Sequence, residues 1–91
     1  MKIAVFGTGY VGLVSAVCFA EMGHEVIAVD IDENKIDRLQ KGEAIIYEAG
    51  LEEILQRNLK NKNIKFLTDA KYAIEFADVI LIAVGTPQAE D

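Results

Sequence analysis

The first twelve residues, MKIAVFGTGYVG, restrict the possible folds of this chain more than any other segment. The apolar run Ile3–Phe6 is typical of a buried strand, and the apolar segment from Val11 to Met22 predicts a helix. Between them lie three glycines in the pattern G-x-G-x-x-G: Gly7, Gly9 and Gly12. Strand, glycine-rich turn and helix in this order predict the start of a βαβ unit.

Each glycine of the turn has a physical reason to be there if the turn holds a diphosphate. Gly7 allows a tight turn, Gly9 lets a pyrophosphate approach the backbone, and Gly12 lets the helix pack against the strand. The first helical turn has free N–H groups and about half a positive charge from the helix dipole, so it attracts an anion without any lysine. The alternative is an ordinary turn that contains three glycines by chance.

Asp30 ends the second predicted strand, Glu25–Asp30. Parallel strands end at one edge of the sheet, which would place Asp30 beside the glycine-rich turn. An acidic residue about 20 positions beyond the glycines is expected to accept hydrogen bonds from the adenosine ribose hydroxyls. Its charge repels a 2′-phosphate, which favours NAD over NADP. The alternative is a helix cap or a solvated acid in a turn.

The whole chain predicts the element order β-α-β-α-α-β-α-β. The predicted strands are Ile3–Phe6, Glu25–Asp30, Ile64–Leu67 and Val79–Val84. The predicted helices are Val11–Met22, Glu33–Lys41, Leu51–Lys60 and Ala70–Phe76. Right-handed crossovers give the spatial strand order 3-2-1-4, which is part of a Rossmann-type, doubly wound α/β sheet.

The fourth predicted strand, VILIAV, is uniformly apolar, which is typical of a strand buried on both faces of a parallel sheet. The order 3-2-1-4 nevertheless places it at an edge, where natural strands usually carry charges, prolines or bulges. We therefore expect further strands beyond Asp91. We also expect these 91 residues to self-associate through this edge.

Composition argues against two classes of partner. The formal net charge of -6 disfavours binding to nucleic acid or to an anionic membrane. Cys18 is the only cysteine, so no internal disulfide is possible, which fits a cytoplasmic protein. Its position in an apolar helix predicts a small core residue rather than a nucleophile, and no metal site is expected.

Four segments in order resemble the UDP-glucose 6-dehydrogenases and, more broadly, the UDP-glucose/GDP-mannose dehydrogenase family. They are MKIAVFGTGYVGL, VDIDENKI, IYEAGLEEIL and IAVGTP, and together they extend over the whole chain. One departure is Ala49, since the family usually has Glu-Pro-Gly-Leu where this chain has Glu-Ala-Gly-Leu at 48–51.

The resemblance implies NAD as the cofactor and assigns its contacts to eight residues: Gly7, Gly9, Tyr10, Val11, Gly12, Asp30, Lys35 and Thr86. Enzymes of this family oxidise the C6 hydroxyl of a nucleotide sugar, here UDP-glucose to UDP-glucuronate, in two NAD-dependent steps through a cysteine thioester. That cysteine and the other catalytic residues lie in later domains, and Cys18 does not match its motif. Residues 1–91 would thus be the amino-terminal part of the NAD-binding domain.

Two alternatives share the strand, the glycine pattern and the acidic residue. One is a regulatory NAD-sensing module of the potassium-transport type, which usually has a Gly-Asp-rich segment where this chain has Thr68–Lys71. The other is an NAD-dependent dehydrogenase of another hydroxy compound. The Gly85-Thr86-Pro87 sequence disfavours both, and the IYE segment also disfavours the second.

Overall fold

A four-stranded parallel sheet forms the centre of the structure, a computed structural model that describes residues 1–83. The strands are β1 (Lys2–Phe6), β2 (Glu25–Val29), β3 (Ile64–Leu67) and β4 (Val79–Ile82). The helices are α1 (Tyr10–Glu21), α2 (Glu33–Gln40), α3 (Leu51–Lys60) and α4 (Ala70–Phe76). The strand order β3-β2-β1-β4 confirms the predicted order and the α/β fold class.

Local signals in the sequence set the ends of several helices. Asp32 caps α2 by accepting a 3.1 Å hydrogen bond from the backbone N–H of Lys35. Asp69 caps α4 in the same way, through the N–H of Tyr72 at 3.0 Å. Such caps satisfy N–H groups that have no partner within the helix, so they fix where each helix begins.

The helices cover both faces of the sheet. On one face, the first three helices pack over alternate strand residues such as Val5 and Phe66, with Leu13, Leu39 and Leu55 among the buried side chains. On the other face, Ala73 of α4 packs near Ala4 and Ile27. Burial on both faces explains why β1 and β2 are almost wholly apolar, and it is typical of a doubly wound sheet.

Two expectations about burial are wrong for the described residues. Cys18 is exposed rather than in the core, because α1 buries only one side, formed by Gly12, Leu13, Ala16, Val17 and Ala20. Strand β4 is not buried on both faces, since Val79, Ile80 and Ile82 are 45%, 42% and 64% exposed. Its edge position leaves these side chains only partly covered, and Val84 lies outside the described residues.

Candidate functional site at the carboxyl edge of the sheet

The four strands end together at one edge of the sheet. Phe6, the last residue of β1, is in register with Val29 of β2 and Ile82 of β4, and Val29 is in register with Leu67 of β3. The residues that follow these strands therefore share this edge. Gly7 follows β1 and Asp30 follows β2, so the glycine-rich turn and the acidic residue lie side by side, as the sequence predicts.

The glycine-rich turn contains two glycines that the fold itself requires. Gly7 has a φ angle of 103°, a value that residues other than glycine rarely adopt. Its N–H donates a 2.7 Å hydrogen bond to the carbonyl of Val29. A Cβ atom on Gly12 would overlap the Gly7 carbonyl oxygen. These two positions hold α1 close against the end of β1, as the motif predicts.

Gly9 differs from both, because the fold does not require a glycine there. Its φ angle is -71°, an ordinary value, and a Cβ atom built on it would meet nothing within 4 Å. The space above Gly9 is therefore open. A bound ligand could therefore contact the backbone of residue 9 directly, and any side chain at this position would block that contact.

The amino-terminal end of α1 faces this open space. Gly9 is the N-cap residue, and no side chain caps the helix or places a negative charge in its first turn. Tyr10 and Val11 begin the helix and are 55% and 65% exposed. An accessible helix end without an acidic cap is suited to binding an anion such as a diphosphate.

Asp30 is held at this edge by hydrogen bonds to both of its carboxylate oxygens. Its Oδ2 accepts from the backbone N–H of Thr8 at 2.9 Å and from the Thr8 hydroxyl at 2.7 Å. Its Oδ1 accepts from the backbone N–H of Asp32 at 3.0 Å. The carboxylate is thus tied to the glycine-rich turn, and its side chain is only 14% exposed.

The hydrogen bonds keep Asp30 ionised. Burial by itself favours the neutral acid and raises the pKa. The Thr8 hydroxyl, followed by the backbone N–H groups of Asp32 and Thr8, outweighs burial, and the pKa of Asp30 falls from 3.8 to about 2. At neutral pH the group is therefore a fixed negative charge that accepts hydrogen bonds and repels phosphate.

Lys35 lies next to Asp30 on the first turn of α2. Its Nζ is 3.6 Å from Asp30 Oδ2, and its side chain is 31% exposed. The ammonium group thus borders the same edge, where it can reach a bound anion while partly balancing the carboxylate. Thr86, the remaining predicted cofactor residue, lies outside the described residues.

A cavity of about 170 Å³ opens beside Asp30 at the ends of the first three strands. It is lined mainly by apolar groups from Phe6, Gly7, Val29, Asp30, Ile31, Thr68 and Ala70. Its place next to the carboxylate suits the apolar face of a nucleoside whose ribose reaches Asp30. The cavity, the helix end and the acid form one continuous candidate site for a dinucleotide.

Two contacts of this site were not predicted from the sequence. One is the pair of bonds from Thr8 to Asp30, which joins residues 22 positions apart. The other is a 3.0 Å hydrogen bond from the Tyr10 hydroxyl to Glu48 Oε1, which ties the segment before α3 to the amino-terminal end of α1 and raises the pKa of Tyr10. The predicted strand order brings Thr8 and Asp30 to the same edge, but the bond between their side chains depends on rotamers that the sequence pattern does not specify.

Residues 1–83 contain neither a cluster of candidate metal ligands nor a candidate membrane span. No group of three or more histidine, cysteine, aspartate or glutamate side chains in this range is arranged to hold a metal ion. Within the same range, no helix combines the length and the apolar character needed to cross a bilayer.

Comparison with known proteins assigns the family. Residues 1–91 match the sequence model described as "UDP-glucose/GDP-mannose dehydrogenase family, NAD binding domain". The UDP-glucose 6-dehydrogenase of Rhizobium meliloti is 51% identical over 87 residues, which cover 96% of this chain and 20% of that protein. The UDP-glucose 6-dehydrogenase TuaD of Bacillus subtilis is 51% identical over 89 residues, covering 98% and 19%.

A solved structure supports the same assignment. A GDP-mannose dehydrogenase of Pseudomonas aeruginosa, crystallised as a ternary complex, superposes with a TM-score of 0.93 at 46% identity, over 96% of this chain and 20% of that one. The chain thus spans about a fifth of the length of the relatives that it matches. The glycine-rich turn, the free helix end and the ionised Asp30 fit NAD, the cofactor for which the domain is named. The chain belongs to the UDP-glucose/GDP-mannose dehydrogenase family and matches that family's NAD binding domain.

Proposed function

We propose that the chain binds NAD along the carboxyl edge of its sheet. The turn Gly7–Gly12 and the first N–H groups of α1, including those of Tyr10 and Val11, would hold the diphosphate. Asp30 would accept hydrogen bonds from the adenosine ribose, and Lys35 and Thr86 would complete the contacts. The observation that carries this proposal is the open space above Gly9, because the packing of the fold does not itself require a glycine at this position.

Calorimetric titration of the purified chain with NAD and with NADP tests this proposal. We expect saturable binding of NAD at one site and weaker binding of NADP, because the 2′-phosphate would lie beside the ionised Asp30. Two like charges about 4 Å apart repel by up to about 4 kcal/mol at an effective dielectric constant near 20. Equal affinity for both nucleotides, or no binding of NAD, would contradict the proposal.

We further propose that the chain is the amino-terminal part of a longer enzyme that oxidises UDP-glucose to UDP-glucuronate with two NAD. Support comes from the UDP-glucose 6-dehydrogenases that are 51% identical to it. GDP-mannose is the second candidate substrate, because a GDP-mannose 6-dehydrogenase of Pseudomonas putida is 45% identical over all 91 residues. The whole enzyme, assayed for NADH formation with each nucleotide sugar, distinguishes the two.

The catalytic residues of that reaction would lie in later domains. NAD supplies the hydride acceptor, and the residues of this chain would bind and orient the cofactor. The dehydrogenase proposal is favoured over a potassium-transport sensor and over a dehydrogenase of another hydroxy compound, because the family match covers residues 1–91. A chain of this length without later domains is expected to bind NAD and not to turn over a nucleotide sugar.

A further inference from the structure

We propose that Thr8 is a positioning residue for cofactor selectivity, and that its hydroxyl aims the Asp30 carboxylate so that Oδ1 is left to accept from the ribose. This inference rests on the proposed NAD function and deepens it. Thr8 occupies the variable position between the first two glycines of the motif, where the pattern itself specifies no residue type.

Thr8 occupies Asp30 Oδ2 with two hydrogen bonds. This oxygen accepts from the Thr8 backbone N–H at 2.9 Å and from the Thr8 hydroxyl at 2.7 Å. A carboxylate oxygen has about two lone-pair sites, so both are taken. Lys35 Nζ also lies on this side of the carboxylate, 3.6 Å from the same oxygen.

The other carboxylate oxygen of Asp30, Oδ1, is only partly occupied. Oδ1 of Asp30 accepts one bond among the described residues, from the backbone N–H of Asp32 at 3.0 Å. One of its lone pairs therefore remains for a donor from outside the protein. Because both oxygens are held, the side chain is already fixed before a ligand arrives, and little rotamer freedom remains to be lost on binding.

The Thr8 hydroxyl is enclosed by the protein and points at Asp30. Thr8 is fully buried, so its hydroxyl has no access to water, and the Asp30 carboxylate is its acceptor. Valine has nearly the same shape, but a methyl carbon approaches an oxygen only to about 3.3 Å or more. A methyl group in place of the hydroxyl would thus push Oδ2 away from its present distance of 2.7 Å and rotate the carboxylate.

Replacing Thr8 by valine would leave the negative charge of Asp30 in place. The T8V variant keeps the backbone N–H of residue 8, the N–H of Asp32 and the Lys35 ammonium beside Asp30. The carboxylate would therefore stay ionised at neutral pH while its direction changes. A change of direction predicts altered discrimination between NAD and NADP, whereas a merely structural role predicts a loss of stability alone.

The test is calorimetric titration of the unmodified chain, T8V and T8S with NAD and with NADP at pH 7. S15A, which removes a hydroxyl from α1 away from the edge, is the matched control. We expect T8V to bind NAD at least about threefold more weakly, the effect of misaligning one hydrogen bond to a charged group, and to show a smaller preference for NAD. T8S restores the hydroxyl and is expected to restore both values, while S15A matches the unmodified chain.

The outcomes separate this inference from the function on which it rests. If the unmodified chain fails to bind NAD, the proposed function is overturned and the role of Thr8 falls with it. If the chain binds NAD and T8V keeps the same affinity and the same NAD/NADP ratio, the role of Thr8 is overturned while the NAD site stands. Loss of NAD affinity in T8S as large as in T8V would also contradict a role for the hydroxyl.

Discussion

Gly12 packs so closely on Gly7 that a Cβ atom at position 12 would overlap the Gly7 carbonyl oxygen. This contact joins the first turn of α1 to the end of β1 and fixes the direction in which the helix points. Gly9, between them in the same motif, meets nothing within 4 Å at the equivalent position. One motif thus contains glycines that the fold needs and a glycine that only a bound group would need.

The first prediction is that Gly9→Val abolishes NAD binding while the fold is retained. The new side chain would fill the space proposed for the diphosphate, and the backbone angles of residue 9 lie in the extended region that valine favours. Loss of the glycine N-cap should cost only about 1 kcal/mol of unfolding free energy. Calorimetry with NAD and thermal unfolding measure the two effects separately.

Gly12→Ala is the matched comparison for this experiment. Its added methyl group collides with backbone rather than with a movable side chain, so we expect a loss of about 1–3 kcal/mol of stability or more. If Gly9→Val bound NAD normally, or if it unfolded as readily as Gly12→Ala, the assignment of Gly9 to the ligand would be wrong.

The second prediction concerns Asp30→Ala. Removal of the carboxylate should weaken NAD binding by about 1–3 kcal/mol, the range for losing one partner of a charged hydrogen bond, and should relax discrimination against NADP. Asp37→Ala on α2 is the control, because Asp37 only forms an exposed 3.1 Å ion pair with Lys41. Unchanged affinity and selectivity in Asp30→Ala would remove Asp30 from the site.

The sequence predicted the helices and strands well, because the interactions that begin and end them join residues close together in the chain. Asp32 and Asp69 cap helices through bonds to residues three positions later, so the amino-terminal ends of these helices could be predicted without the fold. Exposure of Cys18 could not be predicted in this way. An apolar helix looks buried all round, and which side is covered depends on elements packed against it from elsewhere in the chain.

The site was predictable only in part for a similar reason. The order 3-2-1-4 places Asp30 beside the glycine-rich turn, and crossover handedness was enough to predict that order. The link from Thr8 to Asp30 depends on side-chain rotamers at the two strand ends, and no spacing rule covers it. The burial predicted for β4 depends on neighbours that are absent from residues 1–83.

The third prediction is a loss of stability at low pH that depends on Asp30. Its pKa in the folded chain is about 2, below the ordinary value of 3.8, so the ionised form is favoured by folding. This contribution, about 2 kcal/mol, is complete above pH 3.8 and is lost as the pH falls towards 2. Denaturant unfolding of the chain and of Asp30→Ala should show a stability difference that narrows as the pH falls from about 4 to about 2, and a constant difference would contradict this account.

The fourth prediction is that the chain self-associates through the β4 edge and that a charge there prevents it. Val79, Ile80 and Ile82 are each more than two-fifths exposed, and an apolar edge strand can pair with a second copy of the chain. Ile82→Lys, at the most exposed of the three, should shift size-exclusion chromatography towards the monomer. A clean monomer of the unmodified chain at high concentration would contradict the prediction.

The central claim is that a diphosphate binds at the Gly9 end of α1 while Asp30 binds the adjoining ribose. Titration of the ¹⁵N-labelled chain with NAD, followed by backbone amide NMR, tests it most directly. We expect the largest shift changes at residues 7–12 and around Asp30 and Lys35, all at the carboxyl edge of the sheet. Changes concentrated at the opposite edge, near Glu25 and Asn63, would contradict the claim.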